Sequence, residues 1–109
     1  MPLTIQPKLL KEWIDQGKPV FLIDVRQPWE HDLVSLPGSQ LFPLGELQSA
    51  LGEIQPGPGA MLVVYCHHGI RSLSGAAILE QGGLSPAYSL SGGIDAWSRE
   101  VDPAIPRYR

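Results

Sequence analysis

Two short apolar runs, Val20-Phe21-Leu22-Ile23 and Met61-Leu62-Val63-Val64-Tyr65, constrain the fold of this chain more than any other feature. Both are apolar at every position rather than alternating, and both are too short to be buried helices. Strands of that kind sit inside a parallel sheet with helices covering its two faces. Helical patterns accompany them. Leu9, Leu10, Trp13 and Ile14 recur at helical spacing, with Pro7 in the first turn and Gly17 and Pro19 beyond the end. Residues 28–33 and 44–51 predict two further short helices, the second ended by Gly52. A longer helix is predicted from Ser72 to Gly82-Gly83, with Leu73, Ala76, Ala77, Ile78 and Leu79 on its apolar side, and a last one over 94–97. Residues 39–42 and 87–90 predict brief strands. Strands alternating with helices give a three-layer α/β/α domain around a mainly parallel sheet.

With 109 residues the chain has the size of one domain, read here as residues 1–109. A formal charge of −3 gives no expectation of nucleic acid or an anionic membrane as partner. The first seven residues lack the basic and apolar regions of a secretion signal, and the run from Ala60 to Tyr65 is far below membrane-spanning length. A single cysteine, Cys66, allows no intramolecular disulfide, so a reducing, cytoplasmic location is expected.

Cys66 is also where the chemistry concentrates. It directly follows the second apolar strand, at the carboxyl edge where open α/β sheets bind ligands. His67-His68-Gly69-Ile70-Arg71 then leads to Ser72 and a helix start. Free N–H groups and the positive dipole end of a helix attract anions and favour a thiolate. Moving any thiol pKa from about 8.5 to about 6.5 takes roughly 2.7 kcal/mol, and a helix dipole alone gives only ~0.3–1 kcal/mol. Loop amides and local cations must supply the rest, and Arg71 with protonated His67 or His68 are the candidates. Gly69 lets the loop curl so that its amides turn inward.

A lone cysteine at a strand end is often only a buried apolar residue. Strand, cysteine, glycine-containing cationic loop and helix, in that order, favour a reactive site instead. No metal is expected, because Cys66, His67 and His68 are adjacent and cannot all face one ion. Ser72 and Ser74 read as helix-start residues. Asp24 ends a strand on the Cys66 edge and can face the site. Arg26 and Glu30, four apart, read as a structural ion pair, and Trp13, Trp29 and Trp97 as packing residues.

Four blocks in order resemble the rhodanese-like domains: Asp24-Val25-Arg26 with Glu30, Leu36-Pro37-Gly38-Ser39, Cys66-His67-His68-Gly69-Ile70-Arg71-Ser72, and Leu90-Ser91-Gly92-Gly93 with Trp97. The resemblance covers nearly the whole chain and implies a central five-stranded sheet. It implies Cys66 as the nucleophile that becomes a persulfide, with residues 67–72 cradling the donor and Asp24, Arg26 and Glu30 supporting. One departure is Val34-Ser35, where the family often has Gly-His before the Pro-Gly turn. The implied activity is transfer of sulfane sulfur from a small anionic donor such as thiosulfate to a thiol or protein acceptor, without a cofactor. Two alternatives stay open: a non-catalytic binding or sensing module, and a relative of the cysteine phosphatases and arsenate reductases. Those enzymes place five residues between cysteine and arginine, and here four separate Cys66 from Arg71.

Overall fold

A computed structural model describes residues 3–108. Met1 and Pro2, within the segment read for a secretion signal, and Arg109, the last position of the expected domain, lie outside the described residues. The chain runs β1 (Leu3–Ile5), α1 (Pro7–Asp15), β2 (Val20–Asp24), α2 (Pro28–Leu33), β3 (Gln40–Leu41), α3 (Leu44–Leu47), a 3-10 turn (Gln48–Glu53), β4 (Met61–Tyr65), α4 (Ile70–Gln81), β5 (Ala87–Leu90) and α5 (Gly93–Glu100). The strands form one five-stranded sheet in the order β1-β5-β4-β2-β3, with every pairing parallel. The two apolar runs are adjacent central strands, paired from Val20–Met61 to Asp24–Tyr65.

Alternation along the strands divides the core into two layers. Leu22, Val63, Tyr65 and Leu90 pack with Leu10, Ile94 and Trp97. Ile23, Val25, Leu62, Val64 and Ala87 face the other way, packing with Leu47, Ala76 and Leu79. Each central strand thus buries both faces, which is why neither run alternates in hydropathy. Gly75 belongs to this close packing: a Cβ there would lie 3.1 Å from Val64 and 3.2 Å from Val25.

Several local expectations are corrected. The helix expected over 44–51 is a single α turn that tightens into 3-10 geometry, the common ending for a short helix running towards glycine. The α4 helix begins at Ile70, two residues before Ser72, because Gly69 takes the cap position at φ +98°. Trp97 is buried, but Trp29 is 58% exposed and makes a T-shaped contact with Tyr108, ring centroids 6.2 Å apart.

The start of α5 fixes the base of the Cys66 loop. Ile94 N donates to Cys66 O at 2.9 Å, and Asp95 N donates to His67 O at 3.1 Å. This approach requires Gly93, which has φ +63° and whose Cβ would collide with the carbonyl oxygens of both loop residues. Gly93→Ala should therefore lower unfolding free energy by about 2–4 kcal/mol, through left-handed strain and overpacking together. Urea denaturation measures this, and a loss within experimental error would contradict the packing described.

Candidate active site

Strand β4 delivers Cys66 to the carboxyl edge of the sheet, leaving three residues in which to turn into α4. Gly69 makes the turn in left-handed geometry and lies so close to the segment after β5 that a Cβ would sit 2.9 Å from Gly92 N. The turn aims two backbone donors at the cysteine sulfur: Gly69 N at 3.1 Å and Ser72 N at 3.4 Å from Sγ. Ser72 is in the first turn of α4, where amides have no helical carbonyl to bond. Its hydroxyl lies 3.5 Å from Sγ and 2.7 Å from Ser89 Oγ on β5. Ser72 is therefore not a capping residue: its side chain turns inward against Cys66 and Ser89.

Cys66 is only 1% exposed, yet its sulfur is not wrapped in hydrocarbon alone. One side packs with Val64, Ala76 and the rest of that core layer, and the other faces the two amides. Such donors at a helix N-terminus stabilise a sulfur anion more than a neutral thiol.

The cations are arranged differently from the sequence expectation. Arg26 does not pair with Glu30. It lies in the bend before Gln27, the cap of α2, so helical (i, i+4) adjacency does not apply to it. Its guanidinium turns back onto Asp24, with Nε at 2.9 Å from Oδ1 and Nη2 at 2.7 Å from Oδ2, and Nη2 also donates to Val34 O at 2.6 Å. Asp24 accepts further bonds from the Tyr65 hydroxyl at 3.2 Å and the Arg26 amide at 2.9 Å, and its Oδ2 lies 2.8 Å from His31 Nδ1. Asp24 and Arg26 are fully buried and knot the end of β2 to the loop before α2. Burial opposes the charge on Arg26, but the bonds to Asp24 and Tyr108 hold its pKa above the ordinary value.

Glu30 instead binds the loop arginine. Arg71 grips it through both terminal nitrogens, at 2.8 and 3.0 Å, across 41 residues of sequence. Gln27 N donates to Glu30 Oε1 at 3.1 Å, and the Tyr108 hydroxyl donates to Oε2 at 2.6 Å. The Arg71 guanidinium, aided by the Tyr108 and Gln27 bonds, outweighs burial and holds the Glu30 carboxyl down at about 2.

Of the two loop histidines expected as candidate cations, His67 is the one whose surroundings disfavour the charged ring. His67 is stacked between Tyr108 and His68, with ring centroids 3.9 Å apart on each side. Burial first, and then its neighbour His68, push His67 below the ordinary imidazole range, so it is neutral at pH 7. His68 and Ile70 are exposed, Ile70 at 77%. An open cleft of about 590 Å³ lies beside the loop, lined by His67, His68, Asp95, Arg107 and Tyr108. Potential metal-ligating atoms of His67, His68 and Asp95 lie within 4.8 Å of one another. The two imidazoles are stacked near parallel, however, so their in-plane lone pairs run side by side instead of converging. Asp95 is also already bonded by Arg107 and Arg99. This cluster is an ion-pair arrangement.

Leu36 N donates to the Tyr65 hydroxyl at 3.1 Å and Ser39 Oγ lies 2.8 Å from it, so all four motif blocks meet around the end of β4. A model of the rhodanese-like domain matches residues 6–100. The chain belongs to the rhodanese-like domain family. This rhodanese-like domain is 38% identical over 105 residues to a probable adenylyltransferase/sulfurtransferase, MoeZ, of Mycobacterium tuberculosis, covering 96% of the chain and 27% of the relative. It is 34% identical to the adenylyltransferase and sulfurtransferase MOCS3-1 of Zea mays, over 90% of the chain and 22% of that protein. The chain spans about a quarter of the length of these curated relatives. Among solved structures, a rhodanese-like domain protein from Staphylococcus aureus superposes with a TM-score of 0.80 at 25% identity, covering 98% of this chain and 99% of that one. The human single-domain sulfurtransferase TSTD1 has the same fold, with a TM-score of 0.80 at 23% identity, over 92% and 98% of the two chains.

The Glu30–Arg71 bridge gives a pH prediction. The folded-state value of Glu30 lies below its unfolded value, so its contribution to stability is complete above about pH 4.5 and is lost as the pH falls towards about 2. Glu30→Gln should cost roughly 1–2 kcal/mol at pH 7, allowing for screening of the half-exposed Arg71, and should flatten stability across that acid window. Denaturation at a series of pH values measures both effects. An unchanged acid dependence in the variant would contradict the bridge.

Proposed function

We propose that this domain, read as residues 1–109, is a sulfurtransferase that carries sulfane sulfur as a persulfide on Cys66. The observation that carries the reading is the pair of amides, Gly69 N and Ser72 N, directed at Sγ from the start of α4. The sulfurtransferase names of its relatives favour the same class of chemistry.

In the first half-reaction the Cys66 thiolate attacks the outer sulfur of a donor such as thiosulfate. A new S–S bond forms, the old S–S bond breaks, and sulfite leaves with its electron pair. The enzyme persulfide keeps one negative charge on the added sulfur. The amides of Ile70 and Arg71 occupy the same open first turn as Ser72, and the added sulfur extends towards them. The role of His67 is altered by its environment: a neutral, stacked imidazole does not balance the charge of departing sulfite, so that task falls to Arg71, tempered by Glu30. In the second half-reaction an acceptor, cyanide in an assay or a thiol or protein in the cell, attacks the outer sulfur and returns the Cys66 thiolate. Two covalent half-reactions give ping-pong kinetics.

His67, His68, Gly69, Ile70, Arg71 and Ser72 form the donor cradle in this reading, and Asp24, Arg26 and Glu30 support it from β2, the loop after it and α2. Phosphoryl chemistry is disfavoured by the loop, where four residues between Cys66 and Arg71 make a small ring and Glu30 occupies both terminal nitrogens of Arg71. A cytoplasmic setting suits the single thiol. Among the described residues, no helix is long and apolar enough to cross a membrane.

Thiosulfate:cyanide turnover should be present in the wild type and absent in Cys66→Ala, and the mass of the wild-type chain should rise by one sulfur atom after thiosulfate treatment alone. Retained turnover in the variant removes Cys66 from the reaction. An unchanged mass, beside an active control enzyme, favours a binding module, and hydrolysis of para-nitrophenyl phosphate would favour the phosphatase reading.

A further inference from the structure

Residues beyond the last helix reach back across the candidate site. Arg107 donates to both oxygens of Asp95, at 2.8 and 3.2 Å, and so fastens this segment to the helix turn that holds the loop carbonyls. Tyr108 then lies flat against His67, with rings 8° from parallel. Its hydroxyl accepts a bond from Arg26 Nη1 at 2.9 Å and donates one to Glu30 Oε2 at 2.6 Å.

That hydroxyl is the direct link between the buried Asp24–Arg26 pair and the part-buried Glu30–Arg71 pair. From Asp24 the chain of bonds runs through Arg26, Tyr108 and Glu30 to Arg71. A tyrosine at this point does two things that a phenylalanine cannot. It gives Arg26 an acceptor in a fully buried setting, and it gives Glu30 a donor opposite the guanidinium of Arg71. The hydroxyl stays protonated, because burial and then the Glu30 bond push Tyr108 up to about 12. Each bond to Glu30 fixes the carboxylate and draws charge from it, leaving Arg71 held in one orientation with more positive potential available to the Cys66 side.

We propose that Tyr108 is a positioning residue of the Cys66 site, acting through Glu30 to set the orientation and field of Arg71 and through its ring to hold His67. The inference rests on the sulfur-transfer reading of that site, but it also predicts the behaviour of the thiol itself. Its effect does not come from contact with the donor. It comes from a side chain outside all four motif blocks.

The test compares wild type, Tyr108→Phe and Tyr108→Ala in two reactions at neutral pH. One is persulfide formation from thiosulfate, followed by mass. The other is reaction of the single cysteine with methyl methanethiosulfonate, a small neutral reagent in which the thiolate takes the methylthio group and methanesulfinate leaves. Tyr108→Phe keeps the stack on His67 and the fold but leaves Arg26 Nη1 and Glu30 Oε2 each short of one partner, so melting temperature should fall by several degrees, less than in Tyr108→Ala. Loss of a charge-assisted bond to Glu30 should still slow persulfide formation about tenfold. The methylthiolation rate should fall with it, and Tyr108→Ala should be slower in both reactions. In a Glu30→Gln background, Tyr108→Phe should have no additional kinetic effect, since the two residues act through one link. A Tyr108→Phe protein equal to wild type in both reactions, with only Tyr108→Ala impaired and less stable, overturns the proposal and leaves a packing role. No methylthiolation of the wild type overturns it as well. If the wild type takes no sulfur from thiosulfate but methylthiolation still falls in Tyr108→Phe, the donor assignment fails and the positioning role stands.

Discussion

The contact between the sulfur of Cys66 and the amides of Gly69 and Ser72 constrains much of the surrounding structure. For those amides to point at one atom, the chain must leave β4 and enter α4 within three residues, which requires left-handed geometry at Gly69. The turn exposes the Cys66 and His67 carbonyls on its far side, and the first turn of α5 supplies their donors. Two helix N-termini therefore converge on one short loop, α4 on the sulfur and α5 on the carbonyls. Gly69, Gly92 and Gly93, all with positive φ, are what allow three backbone segments to come so close.

Charge around this loop is paired. Asp24 holds Arg26, Glu30 holds Arg71, and Asp95 holds Arg99 and Arg107. All three carboxylates are buried, and each ties a loop or helix to a neighbouring element. Asp24–Arg26 is buried on both sides, and removing one partner of such a pair leaves a costly charge, so it holds a single arrangement firmly; the exposed ends of Arg71, Arg99 and Arg107 are screened by water. Held at both terminal nitrogens by Glu30, Arg71 serves in the proposed reaction as a partly neutralised cation. In the proposed reaction a sulfur anion on Cys66 is held chiefly by backbone dipoles, which neither titrate nor reorient.

What was legible in the sequence follows from how local each signal is. The central strands are legible because four or five consecutive apolar residues leave few alternatives, and the Cys66 loop because its parts are contiguous. Strand β1 was not read: Leu3-Thr4-Ile5 is three residues long with two exposed, and only pairing with β5 makes it a strand. A helical spacing rule pairs Arg26 with Glu30, but Arg26 lies outside the helix and has a nearer carboxylate in Asp24. The Glu30–Arg71 bridge spans 41 residues and leaves no local trace. Tyr108 lies in an irregular stretch between prolines and the chain end, where periodicity carries no information, and its position can be read only from the three-dimensional arrangement. Asp95 stood within a recognised motif block, but nothing in that block indicated that two arginines would meet it.

The central claim is that backbone amides of the loop bind sulfur on Cys66, and the amide resonances of a nitrogen-15-labelled protein test it most directly. Spectra recorded before and after loading with thiosulfate should show the largest changes at Gly69, Ile70, Arg71 and Ser72, reversed when cyanide removes the sulfur. Confirmed sulfur loading that leaves those four resonances in place would contradict the account.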